Sequence, residues 1–207
     1  MNIEIQPLHD EHIPGITSLH VRHLPGFLTE LGPRAVSFFY WATLNMPGNF
    51  GWVALDGKEV VGLIFGSLQG VHLYRKIFLR RPLHSFFLGL ALAFSRTRWV
   101  FKTAYWFLHP PRAVLNSNVP ELIYIAVEER YRRFGLATVL LRNVFEYLRQ
   151  KGCREFELSV AETDINVQRY FEGMGARRVF KYEEGGILRH RYSISVGGSY
   201  EQETKVV

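Results

Sequence analysis

The chain contains 207 residues, of which 47% are hydrophobic, and carries a formal net charge of +6 at pH 7. This length and apolar content suffice for one domain with a substantial core. Cys153 is the single cysteine, which excludes an internal disulfide and a cysteine-rich zinc site. The apolar runs are shorter than the roughly 18–20 residues of a membrane span and no secretory signal pattern is present, so we expect a cytoplasmic protein.

The positive charge is concentrated in residues 71–118. Acidic residues are absent between Glu59 and Glu121, whereas this stretch contains eight Lys and Arg residues among many aromatic side chains. Because the whole chain carries +6, the remaining residues together carry −2. A basic, aromatic segment therefore interrupts an otherwise slightly acidic protein.

The first third of the chain predicts a strand, two helices and a hairpin. Pro25-Gly26 ends the first helix, and Gly32-Pro33 begins the second, since proline fits the first turn of a helix. Asp56-Gly57 is a strong hairpin turn signal between two apolar runs. The predicted elements are a strand at 3–7, helices at 9–23 and 33–44, and strands at 52–55 and 60–68.

Residues 71–118 predict one or two amphipathic helices limited by prolines, followed by an irregular stretch at 115–118. Regular patterns then resume, with Gly185-Gly186 as the turn of a closing strand pair. The predicted elements are strands at 121–127 and 155–160, helices at 136–151 and 164–173, and strands at 176–182 and 187–195. We expect a single domain at 1–196, with 71–118 as its insertion, and a loose tail at 197–207.

The most informative stretch joins the strand at 121–127 to the helix at 136–151. The first turn of a helix has unpaired N–H groups and a partial positive charge, so it binds phosphates well. Gly135 and the small Ala137 allow close backbone approach, and Arg132 and Arg133 add positive charge. The spacing matches neither the dinucleotide-binding glycine pattern nor a nucleoside triphosphatase loop. It predicts a site for another pyrophosphate.

Arg132-x-x-Gly135-x-Ala137 resembles the Arg/Gln-x-x-Gly-x-Gly/Ala motif of the GCN5-related N-acetyltransferase (GNAT) superfamily. The resemblance is good over residues 120–185, passable at 1–70 and absent at 71–118. It implies an α/β (α+β) GNAT fold: a mixed, mostly antiparallel twisted sheet of about seven strands with helices on both faces. Here the fold would carry a basic aromatic helical insertion after the third strand.

The resemblance also implies an N-acetyltransferase that moves an acetyl group from acetyl-CoA directly to an amine in a ternary complex. Coenzyme A would lie where the strand at 121–127 splays from the strand at 155–160. The backbone of Ile125 and Val127 would bond its pantetheine, and N–H groups at 133–138 would hold its phosphates. The implied cofactor-binding residues are Ile125, Ala126, Val127, Arg132, Arg133, Phe134, Gly135, Leu136, Ala137, Thr138, Asn166 and Phe171.

The catalytic candidates are Glu121, Tyr124 and Tyr170. Only a neutral amine attacks the thioester, so a base is needed, and Glu121 is the best placed carboxylate by resemblance, unless it is merely solvated. Tyr124 either lines the acceptor cleft or packs. Phe171 occupies the place of the family's usual tyrosine, the proton donor to the leaving thiolate. Tyr170 lies about 100° round the helix from Phe171 and would not normally reach the same place. Either Tyr170 takes that role through a local shift, or Tyr182 or water takes it.

The acceptor is left open between a small amine, an amino sugar and a protein amine. The missing tyrosine motivates one alternative, a non-catalytic acyl-CoA-binding module. A membrane-surface adaptor with a GNAT-like fold is a third hypothesis. No histidine pattern has metal-ligand spacing and no nucleic-acid reader motif occurs. We therefore expect neither a bound metal ion nor a nucleic-acid partner. The segment at 71–118 is interpreted as a lid over the acceptor site, a peripheral contact with anionic lipid, or a homodimer interface.

Overall fold

The computed structural model describes residues 3–70, 119–184 and 187–197. The predicted insertion at 71–118, the Gly185-Gly186 turn and the tail after Gly197 lie outside these residues. The strands are β1 (Ile3–Pro7), β2 (Asn49–Asp56), β3 (Glu59–Ser67), β4 (Glu121–Val127), β5 (Glu155–Ala161), β6 (Arg177–Glu184) and β7 (Ile187–Ser195), and the helices are α1 (Ile13–His23), α2 (Phe27–Glu30), α3 (Pro33–Leu44), α4 (Leu136–Gln150) and α5 (Ile165–Gly173).

The strands form one seven-stranded sheet in the order β1-β2-β3-β4-β5-β7-β6. All neighbouring strands are antiparallel except β4 and β5, which are parallel. Parallel neighbours need a crossover connection, and α4 provides it. The sheet therefore confirms the predicted mixed, mostly antiparallel arrangement of about seven strands.

The N-terminal helix differs from its prediction. A single helix was expected over residues 9–23, but Asp10–His12 forms a 3-10 turn and α1 begins at Ile13. Pro14 explains this boundary, because a residue without an N–H belongs in the first turn of a helix. The short α2 at Phe27–Glu30 was not predicted at all.

Helices cover both faces of the sheet and form two cores. On one face, α1 and α3 pack against β2 and β3 around Phe39, Leu63 and Phe65. On the other face, α4 and α5 pack against β4, β5 and β7 around Phe145 and Phe156. Within the described ranges, none of the helices has the length and apolarity needed to cross a membrane.

A β-bulge in β4 determines which side chains reach each core. Phe65 pairs with Tyr124 but Gly66 pairs with Leu122, so Ile123 is an extra residue in β4. As a result Ile123 and Tyr124 both pack against the α1–α3 core. Leu122 and Ile125, on either side of this pair, pack with the α4–α5 core.

Candidate functional site

The sheet opens between β4 and β5. The two strands pair only at Glu121 with Glu157 and at Leu122 with Leu158. Beyond Leu122, β4 stays paired with β3 while β5 stays paired with β7 along its whole length. The opening therefore widens toward the C-terminal ends of β4 and β5, as the sequence resemblance led us to expect.

The register of β4 directs alternate backbone groups into this opening. The N–H of Glu128 donates to the carbonyl of Val61 at 2.8 Å, which makes these two residues a hydrogen-bonded antiparallel pair. Since such pairs alternate, Ala126 and Tyr124 also bond to β3, whereas Val127 and Ile125 turn their N–H and C=O groups away from it. The two residues expected to bond a pantetheine thus face the side from which β5 has diverged.

The turn between β4 and α4 presents a helix N-terminus at the mouth of the opening. Gly135 is the N-cap of α4 and has the left-handed φ of 74°. The first hydrogen bond of the helix runs from the N–H of Val139 to the carbonyl of Gly135. The N–H groups of Leu136, Ala137 and Thr138 precede it and have no partner within the helix. Arg133 also has a positive φ of 67°, so the turn is sharply bent.

The surroundings of Gly135 fit an anionic ligand. A Cβ built at this position would meet no atom of the described residues within 4 Å, so this part of the chain leaves space open directly beside the helix N-terminus. No acidic residue occurs in the first turn of α4. Phe134 leaves 71% of its surface exposed next to this space. The turn therefore has the open backbone and the positive electrostatics that a pyrophosphate requires.

Arg132 is engaged with protein groups rather than directed freely at that space. Its Nε donates to the carbonyl of Val127 at 3.0 Å, and its Nη2 lies 3.0 Å from Nδ1 of His23, at the end of α1. Nε2 of His23 is in turn 3.1 Å from Oε1 of Glu128. Sequence reasoning missed His23 and Glu128, because neither belongs to the motif.

The helix α5 places its two aromatic residues differently. Phe171 is buried in the α4–α5 core. Tyr170 is half-buried, and its hydroxyl shares a hydrogen bond of 3.0 Å with the hydroxyl of Thr138 in the first turn of α4. Burial raises the pKa of Tyr170, although the Thr138 hydrogen bond opposes this shift. Tyr170 and Thr138, predicted separately, are thus brought together, while Asn166 is exposed on α5.

Glu121 lies in a polar cluster on the face opposite to the α4–α5 core. It forms an ion pair with Nη1 of Arg191, a fully buried residue of β7. Arg191 also donates from Nε to Glu157 Oε2 at 2.9 Å and from Nη1 to Ser159 Oγ at 3.0 Å. Burial raises the pKa of Glu121, and the charge of Arg191 lowers it in part. Glu121 is therefore a buried, ion-paired carboxylate and not a solvated one.

The cluster also includes the alternative proton donor. The hydroxyl of Tyr182 donates to Ser159 Oγ at 2.8 Å, and burial raises the pKa of Tyr182 to about 12. Arg191, Glu157 and Ser159 were missed from the sequence, since a lone arginine in a strand is expected to be exposed. Two-residue alternation gave the available signal: Glu157 and Ser159 alternate with buried apolar residues in β5.

Tyr124 packs against an aromatic group beneath the bulge. Its ring meets the ring of His20 edge-on at 4.6 Å and that of Phe39 at 5.6 Å. Nδ1 of His20 lies 2.8 Å from the hydroxyl of Tyr40. Burial lowers the pKa of His20 to about 4, so this imidazole is neutral near pH 7. In the described ranges, no group of three His, Cys, Asp or Glu residues is arranged to hold a metal ion.

Comparison with curated proteins gives a partial relative. The probable N-acetyltransferase family 8 member 5 of Mus musculus is 28% identical over 82 residues. This stretch covers 40% of the present chain and 36% of the relative. The chain therefore spans little more than a third of that protein.

Solved structures resemble the fold over nearly the whole chain. NAA60 of Arabidopsis thaliana, in complex with acetyl-CoA, has a TM-score of 0.59 at 16% identity, with 95% of this chain and 100% of that chain covered. The ribosomal-protein-S18-alanine N-acetyltransferase of Escherichia coli has a TM-score of 0.59 at 11% identity, with 97% and 98% covered. At such identities the likeness establishes the fold alone.

The family itself is established by sequence. The model of the Acetyltransferase (GNAT) family matches residues 14–176. This match includes the strand, turn and helix on which the resemblance was first recognised. The chain therefore belongs to the acetyltransferase (GNAT) family.

Proposed function

We propose that this protein is an acyl-CoA-dependent N-acetyltransferase that transfers an acetyl group directly from acetyl-CoA to an amine. The observation that carries the proposal is the opening between β4 and β5, with a helix N-terminus at its mouth. A pyrophosphate on the N–H groups at 133–138 would place the pantetheine along Val127 and Ile125. The thioester would then lie near the closed end of the opening, where the two strands still pair.

In the proposed reaction the amine nitrogen attacks the thioester carbonyl, the C–S bond breaks, and the amine loses a proton while the thiolate gains one. Positioning supplies much of the rate, because the thioester is already activated. We propose Glu121 as the proton acceptor, directly or through water, since it lies at the closed end of the opening. Its raised pKa makes it a stronger base than an exposed glutamate.

Besides water, two side chains are candidates for protonating the leaving thiolate in this family member. Tyr170 reaches the first turn of α4 through Thr138, and Tyr182 belongs to the cluster around Arg191. Both hydroxyl groups keep their protons near neutral pH, because the ordinary pKa of a tyrosine is about 10 and burial raises it further. The acceptor is proposed to be an amine, with a small amine, an amino sugar and a protein amine as its classes.

The first prediction separates cofactor binding from folding. Gly135→Glu should abolish coenzyme A binding, because its side chain would fill the open space and place a negative charge at the phosphate site. The strain of a left-handed non-glycine residue costs only about 1–2 kcal/mol. Isothermal calorimetry with acetyl-CoA measures the loss of binding. Thiol release with an amine panel measures the loss of activity that follows from it.

Gly152→Glu is the matched control. Gly152 has a φ of 71°, and the residues that the structure describes leave its surroundings equally open, but it follows the opposite end of the same helix. It should match the stability loss of Gly135→Glu and retain acetyl-CoA binding. Equal affinity in both variants would contradict the assignment of the phosphate site.

A non-catalytic acyl-CoA-binding module is the second candidate. It is favoured by one observation: Phe171, at the family's usual tyrosine place, is buried and has no proton to donate. This alternative predicts acetyl-CoA binding in the calorimeter without thiol release for any amine. Absence of acetyl-CoA binding by the unmodified protein would overturn both candidates.

A further inference from the structure

His23 lies between the motif arginine and a buried carboxylate. It is the last residue of α1 and contacts the turn after β4, more than 100 residues later in the chain. Nη2 of Arg132 lies 3.0 Å from its Nδ1, and Oε1 of Glu128 lies 3.1 Å from its Nε2. The side chains of His23 and Glu128 are only 14% and 13% exposed. Both ring nitrogens of His23 thus have partners of opposite chemistry.

These partners determine where the imidazole proton lies. A guanidinium can only donate hydrogen bonds, so Nδ1 of His23 must accept and carries no proton. Nε2 then carries the proton and donates a hydrogen bond to Oε1 of Glu128. Because hydrogen bonding and charge favour the carboxylate form, the pKa of Glu128 is lowered despite its burial. The arrangement therefore requires a neutral imidazole of one defined tautomer.

Arg132 transmits this constraint to β4. Its Nε donates to the carbonyl of Val127, one of the backbone groups directed into the opening. The chain of contacts from His23 through Arg132 to Val127 joins the end of α1 to the start of the phosphate turn. Without an acceptor at Nδ1, the Arg132 side chain loses one of its two fixed contacts.

We infer that His23 is a positioning residue for coenzyme A binding, acting through Arg132 on the β4 end and the turn that follows it. The inference rests on the proposed function. Arg22 also faces this group, since its Nη2 lies 3.0 Å from Glu128 Oε2. Loss of the Nδ1 acceptor should therefore weaken coenzyme A binding through Arg132.

Two variants test the role of His23. His23→Leu removes both hydrogen-bonding atoms and should weaken coenzyme A binding about tenfold at pH 7.5, which corresponds to about 1.4 kcal/mol. His23→Asn retains an acceptor oxygen near the Nδ1 position, so it should restore most of the affinity. Arg22→Gln is the control, because Arg22 contacts the same carboxylate but not Arg132. The affinity of this variant for coenzyme A should stay within twofold of that of the unmodified protein.

Rescue by His23→Asn distinguishes positioning from a merely structural role. His23→Leu and His23→Asn both lose the imidazole ring and its contact with Glu128, so they differ in whether an acceptor faces Arg132. We expect the affinity for coenzyme A, measured by calorimetry, to follow that acceptor.

An equal loss of affinity in both variants, or unchanged affinity in His23→Leu, would overturn the inference while leaving the proposed function intact. Failure of the unmodified protein to bind coenzyme A would overturn both. Should His23→Leu fail to fold, His23→Ala takes its place in the comparison with His23→Asn.

Discussion

At the level of single residues, Arg191 determines how Glu121 can act. The guanidinium is fully buried and forms ion pairs with both Glu121 and Glu157. Removing one partner of a buried ion pair typically costs about 3–5 kcal/mol, because the remaining charge is left uncompensated. Glu121 is therefore both the candidate base and part of the structural support of β7. Loss of activity in a Glu121 variant has meaning only when its stability is measured alongside.

His20 provides a prediction about pH and stability. Its pKa is about 4 in the folded protein, against an ordinary value of 6.5, because burial disfavours the charged form. Between pH 6.5 and pH 4 the unfolded chain binds a proton that the folded protein does not. Stability should thus fall as the pH falls through this window, by up to about 3 kcal/mol, and level off below it.

Urea unfolding of the unmodified protein and of His20→Gln, from pH 7 to pH 4, measures this effect. The difference in unfolding free energy between them should shrink toward acid, since only the unmodified protein carries the titrating imidazole. Other titrating groups contribute equally to both curves. A difference that stays constant across the range would show that His20 is not the group responsible.

The aromatic pair of α5 illustrates what single residues in the sequence can predict. Counting from Gly175 placed Phe171 at the tyrosine position and Tyr170 about 100° away, and the two side chains do point to different surroundings. The partner of Tyr170 could not be predicted, because Thr138 lies 32 residues earlier and only folding brings it close. Local periodicity determines direction, whereas contacts depend on the tertiary arrangement.

Among the elements, β4 shows which features a sequence pattern predicts and which it does not. Its boundaries at 121 and 127 agree with the prediction from the apolar run, and the hairpin of β2 and β3 followed from the Asp56-Gly57 turn. The bulge at Ile123 was not predicted, since it arises from pairing with β3 and not from any local pattern. Apolar residues on both sides of the bulge conceal the change of face. Gly66 pairs with Leu122 beside the bulge, and a glycine within a strand is a sequence signal for such an irregularity.

Gly66 carries the prediction at this scale. A Cβ at this position would lie 2.7 Å from the backbone oxygen of Glu121 and 2.4 Å from the ring of Phe50. The backbone cannot yield without disturbing the start of β4, so Gly66→Ala should destabilise the protein by about 2–3 kcal/mol. Chemical denaturation measures the loss.

A glycine-to-alanine change at Gly173 should not destabilise the protein. Gly173, at the end of α5, has an ordinary backbone conformation, and a Cβ there would meet no atom of the described ranges within 4 Å. Gly173→Ala should therefore leave stability unchanged or raise it by up to about 1 kcal/mol. If Gly66→Ala behaved like Gly173→Ala, the close packing of β3 against β4 would be refuted.

At the scale of the whole molecule, the sheet consists of two halves with a narrow junction. Strands β1 to β4 form one half and β5, β7 and β6 the other, and they share only two residue pairs. The ion pairs of Arg191 with Glu121 and Glu157 reinforce this junction. A ligand that fills the opening would add backbone partners to β4 where β5 supplies none. Ligand binding and the integrity of the sheet are therefore coupled.

This coupling predicts an alternating pattern of amide protection along β4. When coenzyme A binds, the N–H groups of Ile125 and Val127 should exchange with solvent more slowly, because the register directs them into the opening. Those of Tyr124 and Ala126 should change little, since they already bond to β3. Residue-resolved hydrogen exchange by NMR, with and without saturating coenzyme A, measures all four rates in one experiment.

Adenosine 3′,5′-bisphosphate, which lacks the pantetheine, is the control ligand for this experiment. It should leave the exchange of Ile125 and Val127 unchanged even where it binds, because only the pantetheine is expected to lie along β4. Uniform protection of all four amides by coenzyme A would indicate general stabilisation of the sheet. Slower exchange with the control ligand as well would have the same meaning. Either result would refute strand-like pairing of the cofactor with β4, while alternation restricted to coenzyme A would follow only from a ligand seated in the opening.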